Sequence, residues 1–209
     1  MAAMPQHKVV MIGDYNVGKT SMFLRFETGE FPDDIDERVK RSIEVKKQIM
    51  VDGELVELTL HDTAGLERFE GTVPPSYFRS ASAVIFVYSL SNQESIANVN
   101  DWSDSVSPQR LEFVQTDTNI VRALAGNKSD LDERLVSKQR AREVAENCGI
   151  KPELIFELSA LSGEGFDELF VAVARQIVSS GKSETDVGPV LSLRDGKGKD
   201  SGSGSGCCK

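Results

Sequence analysis

The octet Gly13-Asp14-Tyr15-Asn16-Val17-Gly18-Lys19-Thr20 constrains this chain more than any other segment. It follows the apolar run Val9-Val10-Met11-Ile12 and precedes an amphipathic stretch from Thr20 to Phe26, so it reads as a loop carried from a strand into a helix. Glycine, four residues, then Gly-Lys-Thr is the spacing of a phosphate-binding loop. Its backbone N–H groups and the positive end of the following helix wrap phosphate oxygens, with Lys19 adding charge at the outer phosphates and Thr20 offering a hydroxyl to Mg²⁺. The residues expected against phosphate are Gly13, Tyr15, Asn16, Val17, Gly18, Lys19, Thr20 and Ser21.

The rest of the chain alternates strands and helices around this loop. Residues 28–41 are polar and charged and read as a long surface loop. Strands are predicted over 43–51 and 54–61, joined at Asp52-Gly53, which is a strong hairpin signal. Further strands are predicted over 83–89, 120–125 and 154–158. Helices are predicted over 92–106, 140–147 and 166–178, the first with Ile96, Val99 and Trp102 along one side. This order implies an α/β fold, a mostly parallel six-stranded sheet with one antiparallel strand and helices on both faces. Residues 1–7 form a short extension and 8–180 the domain. Residues 181–209, rich in Gly, Ser, Lys and Asp, read as a flexible tail.

Composition narrows the classes. At 209 residues with 39% hydrophobic content the chain supports one domain with a substantial core. A formal charge of −9 argues against a nucleic-acid partner, because phosphate backbones demand a basic surface. Its three cysteines, Cys148, Cys207 and Cys208, make no disulfide framework and suit a reducing, cytosolic setting. No apolar run reaches the roughly 18 residues of a membrane span, and residues 1–5 lack the features of a signal peptide. Membrane contact is expected from a modification. Cys148 and Trp102 are expected in the core, and His7 at a solvent-exposed terminus.

Two more motifs carry chemistry. Asp62-Thr63-Ala64-Gly65 follows the second hairpin strand, where the Asp62 carboxylate can hold Mg²⁺ through water and the Gly65 N–H can approach the terminal phosphate. Asn127-Lys128-Ser129-Asp130 follows another strand. There Asp130 can accept from the N1 and N2 donors that guanine presents and adenine does not, a discrimination sharpened because the wrong base leaves a charge unpaired. Ser159-Ala160, with Leu161 after them, can add backbone N–H contacts to the guanine carbonyl.

Together these motifs resemble those of the Ras-like small GTPases over residues 8 to 180. The Rab branch fits best, on Val51-Asp52-Gly53, Asp62 to Gly65, Glu67-Arg68-Phe69, Ser76-Tyr77-Phe78-Arg79, Trp102 and Gly126 to Leu131. The resemblance implies GTP or GDP with Mg²⁺ as bound groups, and Phe31 packed against the guanine ring. Cys207-Cys208-Lys209 is similar to the double-cysteine ends of Rab proteins and implies two geranylgeranyl groups, enough for stable residence on a membrane where one lipid gives marginal anchoring. It further implies a monomer on the cytosolic face of an intracellular membrane, cycling through the cytosol. Its implied partners are effectors in vesicle traffic, an exchange factor and a chaperone of the GDP-dissociation-inhibitor type.

Three departures from the family gather around the terminal phosphate. Leu66 stands where a glutamine orients the attacking water, so no catalytic residue is assigned and hydrolysis is expected to be slow. No threonine lies between Thr28 and Thr59, so the expected ligand from the first large loop is replaced at Arg38, Val39 or Lys40, with Ser42 as a substitute if the loop shifts. Tyr15 occupies a position where the family carries a small residue, close to where an activating arginine would enter. His61 replaces a tryptophan usual in Rabs. The alternative function is a non-enzymatic, membrane-tethered binding module, permanently GTP-loaded or insensitive to nucleotide state.

Overall fold

The structure, a computed structural model, describes residues 4–31, 43–63, 73–107 and 120–181. Six strands form one sheet: β1 (Gln6–Ile12), β2 (Glu44–Val51), β3 (Glu54–His61), β4 (Ala81–Ser89), β5 (Val121–Asn127) and β6 (Ile155–Glu157). Their spatial order is β2-β3-β1-β4-β5-β6. Only the β2–β3 pairing is antiparallel; β1 pairs in parallel with β3 and β4, and β5 with β4 and β6. This is the expected sheet.

Burial explains the order. Every residue of β4 is buried, as a central strand covered on both faces requires. β2, at the edge, has five exposed residues, including Lys46 and Lys47, whose charges discourage pairing with another chain. The β2–β3 turn takes left-handed φ at both central residues, 50° at Asp52 and 90° at Gly53, the conformation whose twist matches the flanking strands.

Five α-helices are present among the described residues: α1 (Lys19–Thr28), α2 (Gln93–Ala97), α3 (Val99–Ser105), α4 (Lys138–Asn147) and α5 (Phe166–Ser179). α1 and α5 share one side of the sheet, where Phe26 and Phe170 meet with ring centroids 4.5 Å apart. α2 and α3 pack on β4 and contact α4 on the other side. Among the described residues no helix is long and apolar enough to cross a membrane.

Two expectations need correction. The single helix over 92–106 is divided at Asn98, which closes α2 and opens α3. His7 is not solvent-exposed: β1 begins at Gln6, so His7 shares a strand face with Val9 and Met11, and it is only 1% exposed, with Nδ1 3.4 Å from Ser82 Oγ. Cys148 and Trp102 are buried as expected.

Burial pushes the His7 pKa below its ordinary 6.5. The His61 pKa is also lowered, first by burial and then by the charge of Lys8, with Glu44 opposing. Below pH 6.5 the unfolded chain therefore takes up protons that the folded chain resists, and stability falls as pH drops through that value. Urea midpoints should be lower at pH 5.5 than at pH 7.5, and His7→Gln, neutral throughout, should make the decline shallower.

Candidate nucleotide-binding site

The site lies at the C-terminal ends of the central parallel strands β1, β4 and β5, where open α/β sheets place their ligands. The loop from Gly13 to Gly18 leaves β1 and enters α1. Two glycines let it lie close to its neighbours. At Gly13, φ is 149° and a Cβ would sit 2.1 Å from the Val87 carbonyl oxygen; at Gly18, φ is 98° and a Cβ would sit 2.2 Å from Asn127 Nδ2.

The loop's carbonyls are held from behind. Lys19 Nζ donates to the carbonyls of Gly13 (2.8 Å) and Asp14 (2.6 Å), Lys128 Nζ to that of Asn16 (2.7 Å), and Asn127 Nδ2 to that of Val17 (2.9 Å). In a planar trans peptide the N–H points opposite to its C=O, so each fixed carbonyl aims the next N–H the other way. Successive N–H groups turned to one side make an anion-binding concavity. Lys19 is 3% exposed, and burial lowers the Lys128 pKa while Asp130 opposes that shift.

The helix end points to the same ligand chemistry. α1 opens at Gly18 with no side-chain cap and no acidic residue in its first turn. By contrast, Asn92 caps α2 through the N–H groups of Glu94 and Ser95, Ser137 caps α4 through that of Arg140, and α3 and α5, also without a side-chain cap, carry Asp101 and Asp167 with Glu168 in their first turns. A helix N-terminus with neither a side-chain cap nor an acidic residue keeps its partial positive charge uncompensated by side chains, which suits phosphate.

Thr20 and Asp62, the two residues predicted to hold Mg²⁺, lie together: Thr20 Oγ1 donates to Asp62 Oδ2 at 3.1 Å. Beside them, Thr63 is anchored to the Met11 carbonyl at 2.8 Å. One hydroxyl and one carboxylate are a suitable protein contribution to Mg²⁺, which completes its octahedron with water and phosphate oxygens. The described residues contain no cluster of three or more His, Cys, Asp or Glu able to hold a metal.

At the end of β5, Asn127 Oδ1 accepts from the Ala160 N–H (3.0 Å) and Ser159 Oγ donates to the exposed Asp130 carboxylate. The backbone N–H of Ser159 is bonded to the Glu164 carbonyl (3.0 Å), so among Ser159, Ala160 and Leu161 only the Leu161 N–H has no partner among the described residues. Phe31 follows the end of α1 and is 36% exposed, and Tyr15 stands 60% exposed on the loop. Gly65, Leu66, Arg38, Val39, Lys40, Ser42, Cys207 and Cys208 lie outside the described residues.

Sequence reasoning did not assign Arg25 to the site. From mid-α1 its guanidinium donates to the carbonyls of Ala160 (2.9 Å), Leu161 (3.1 Å) and Ser162 (3.4 Å), tying the turn after β6 to the helix that begins at the phosphate loop. Its position between buried Leu24 and Phe26 was the available signal. Asp14, Asn98 and Trp102 were missed as a group: Asp14 accepts from Asn98 Nδ2 at 2.8 Å and from Trp102 Nε1 at 2.7 Å.

This fold and this loop define a P-loop nucleotide-binding protein. The sequence profile of the Ras family matches residues 8–179. Ras-related protein Rab-1D of Dictyostelium discoideum is 34% identical over 182 residues, 85% of this chain and 84% of that protein. Ras-related protein Rab-30 of Homo sapiens is 34% identical over 193 residues, 92% of this chain and 90% of that protein. Ras-related protein RAB1BV of Beta vulgaris is 29% identical over 208 residues, 96% of this chain and 92% of that protein. The chain belongs to the Ras family of small GTPases, in its Rab branch.

Asn127 links the loop at Val17 to the turn at Ala160 with one amide. Asn127→Ala removes two buried hydrogen bonds and should lower unfolding stability by about 2 kcal/mol, measured by urea denaturation.

Proposed function

We propose that this protein binds GTP and GDP with Mg²⁺ and, tethered to the cytosolic face of an intracellular membrane, recruits effectors in vesicle traffic, hydrolysing GTP slowly. The observation that carries the nucleotide reading is the Asn127 amide, which holds the phosphate loop at Val17 and the base-side turn at Ala160 in one rigid unit. The phosphates lie against Gly13, Tyr15 to Ser21 and Gly65. Guanine is read by Asp130, with Asn127, Lys128, Ser159, Ala160 and Leu161 around it and Phe31 against its ring. Because the Ala160 N–H already serves Asn127, Leu161 is the better placed of the two to donate to the guanine carbonyl.

Thr20 and Asp62 would hold Mg²⁺, which when bound neutralises phosphate charge. Lys19 places a buried positive charge at the loop, where a low effective dielectric strengthens its effect on a transferring phosphoryl group. Leu66 carries no group able to align water, and exposed Tyr15 crowds the entrance an activating arginine would use. Geranylgeranyl groups on Cys207 and Cys208 supply the membrane tether, with 181–209 as its linker and 8–180 as the domain. The family resemblance adds an exchange factor and a GDP-dissociation-inhibitor-type chaperone as partners of the monomer.

Two measurements test this. Wild type should bind GDP far more tightly than ADP, and Asp130→Ala should lower GDP affinity by about 100-fold through loss of charge-assisted hydrogen bonds; equal binding of GDP and ADP by wild type would refute guanine specificity. In single-turnover hydrolysis of bound GTP, wild type should be slow and Leu66→Gln faster. No turnover in either protein would favour the binding-module alternative, which Leu66 also suits.

A further inference from the structure

Asp14 is a carboxylate placed inside a loop built for anions, where its charge would oppose the ligand unless it is turned away and neutralised. It is turned away. Trp102 Nε1 and Asn98 Nδ2 each donate to a different oxygen of Asp14, at 2.7 and 2.8 Å, across separations of 88 and 84 residues. Asn98 and Trp102 are four residues apart, and the Trp102 N–H donates to the Asn98 carbonyl at 3.1 Å, so both side chains leave one face of one helical turn.

Asn98 strengthens the case. It stands at the junction of α2 and α3, where an asparagine ordinarily spends its side chain on a local backbone N–H. Here it makes no side-chain cap and reaches Asp14 instead. Asp14 also offers its backbone carbonyl to Lys19 Nζ. Its side chain thus fixes, from outside, the peptide that aims the Tyr15 N–H and seats the lysine.

We propose that Asn98 and Trp102 are positioning residues for nucleotide binding: through Asp14 they hold the phosphate loop in its binding shape and set how long the nucleotide stays. This rests on the nucleotide-binding reading above. The α2–α3 junction is therefore a control point, since anything that draws that face away from Asp14 loosens the phosphate end of the site while leaving base recognition intact.

The test is the release rate of a fluorescent GDP from the full chain in Mg²⁺. Trp102→Phe keeps a ring in the core and removes the N–H, and Asn98→Ala removes the other donor. Each should speed release about tenfold, the loss of one hydrogen bond to a charged group, with the preference for GDP over IDP unchanged because Asp130 is untouched. Asn98→Asp sets two carboxylates against each other and should be worse than Asn98→Ala. Adding Asp14→Asn restores a donor–acceptor pair with the charge exchanged and should recover release to within about threefold of wild type. Val173→Ala, on the buried face of α5, should lower the melting temperature and leave release unchanged. The proposal is overturned if release from Trp102→Phe and Asn98→Ala matches wild type, if release follows melting temperature across all variants including Val173→Ala, or if the exchanged pair brings no recovery. Failure of wild type to bind GDP would instead overturn the reading on which it rests.

Discussion

Everything at this site depends on fixing the backbone of a six-residue loop, Gly13 to Gly18, from its carbonyl side. Four carbonyls are tied down by three side chains, Lys19, Asn127 and Lys128, which come from α1 and from the end of β5. Preorganisation of this kind matters because aligning the loop's N–H groups after a ligand arrives would spend conformational entropy that binding must then overcome. The fold supplies the anchors cheaply. β1 and β5 both flank β4 in the parallel sheet, so their C-terminal ends lie near one another without any special connection.

The same geometry explains which residues must be small. Gly13 touches the backbone of β4 and Gly18 touches the Asn127 amide, so a methyl group at Gly13 would press the loop off the sheet and one at Gly18 would displace an anchor. Charge follows suit: a buried lysine, an uncapped helix end and a carboxylate held aside by Trp102 and Asn98 leave the concave side suited to an anion. Arg25 does for the turn at Ala160 to Ser162 what Asn127 does for Val17, so α1 is bonded to both halves of the site.

The strands, the hairpin and the three motifs could be read from sequence because each is a local pattern: a short apolar run, a turn dipeptide, a short string of required residue types. The bonds that couple the motifs could not. Asp14 to Trp102 spans 88 residues and Arg25 to Ala160 spans 135, and no local spacing encodes either. His7 was misjudged although the signal was present, since it continues the inward face of Val9 and Met11. The division at Asn98 was hidden because its backbone stays near helical, φ −70° and ψ −11°, and hydrophobic spacing runs through it.

The proposed function requires the loop and the Asp130 turn to act as one preorganised guanine-nucleotide site. The nucleotide carried by the freshly purified chain, released by denaturation and identified by chromatography, tests it most directly. The account predicts close to one guanine nucleotide per chain; an adenine nucleotide in its place, or none together with no uptake of added GDP, would contradict it.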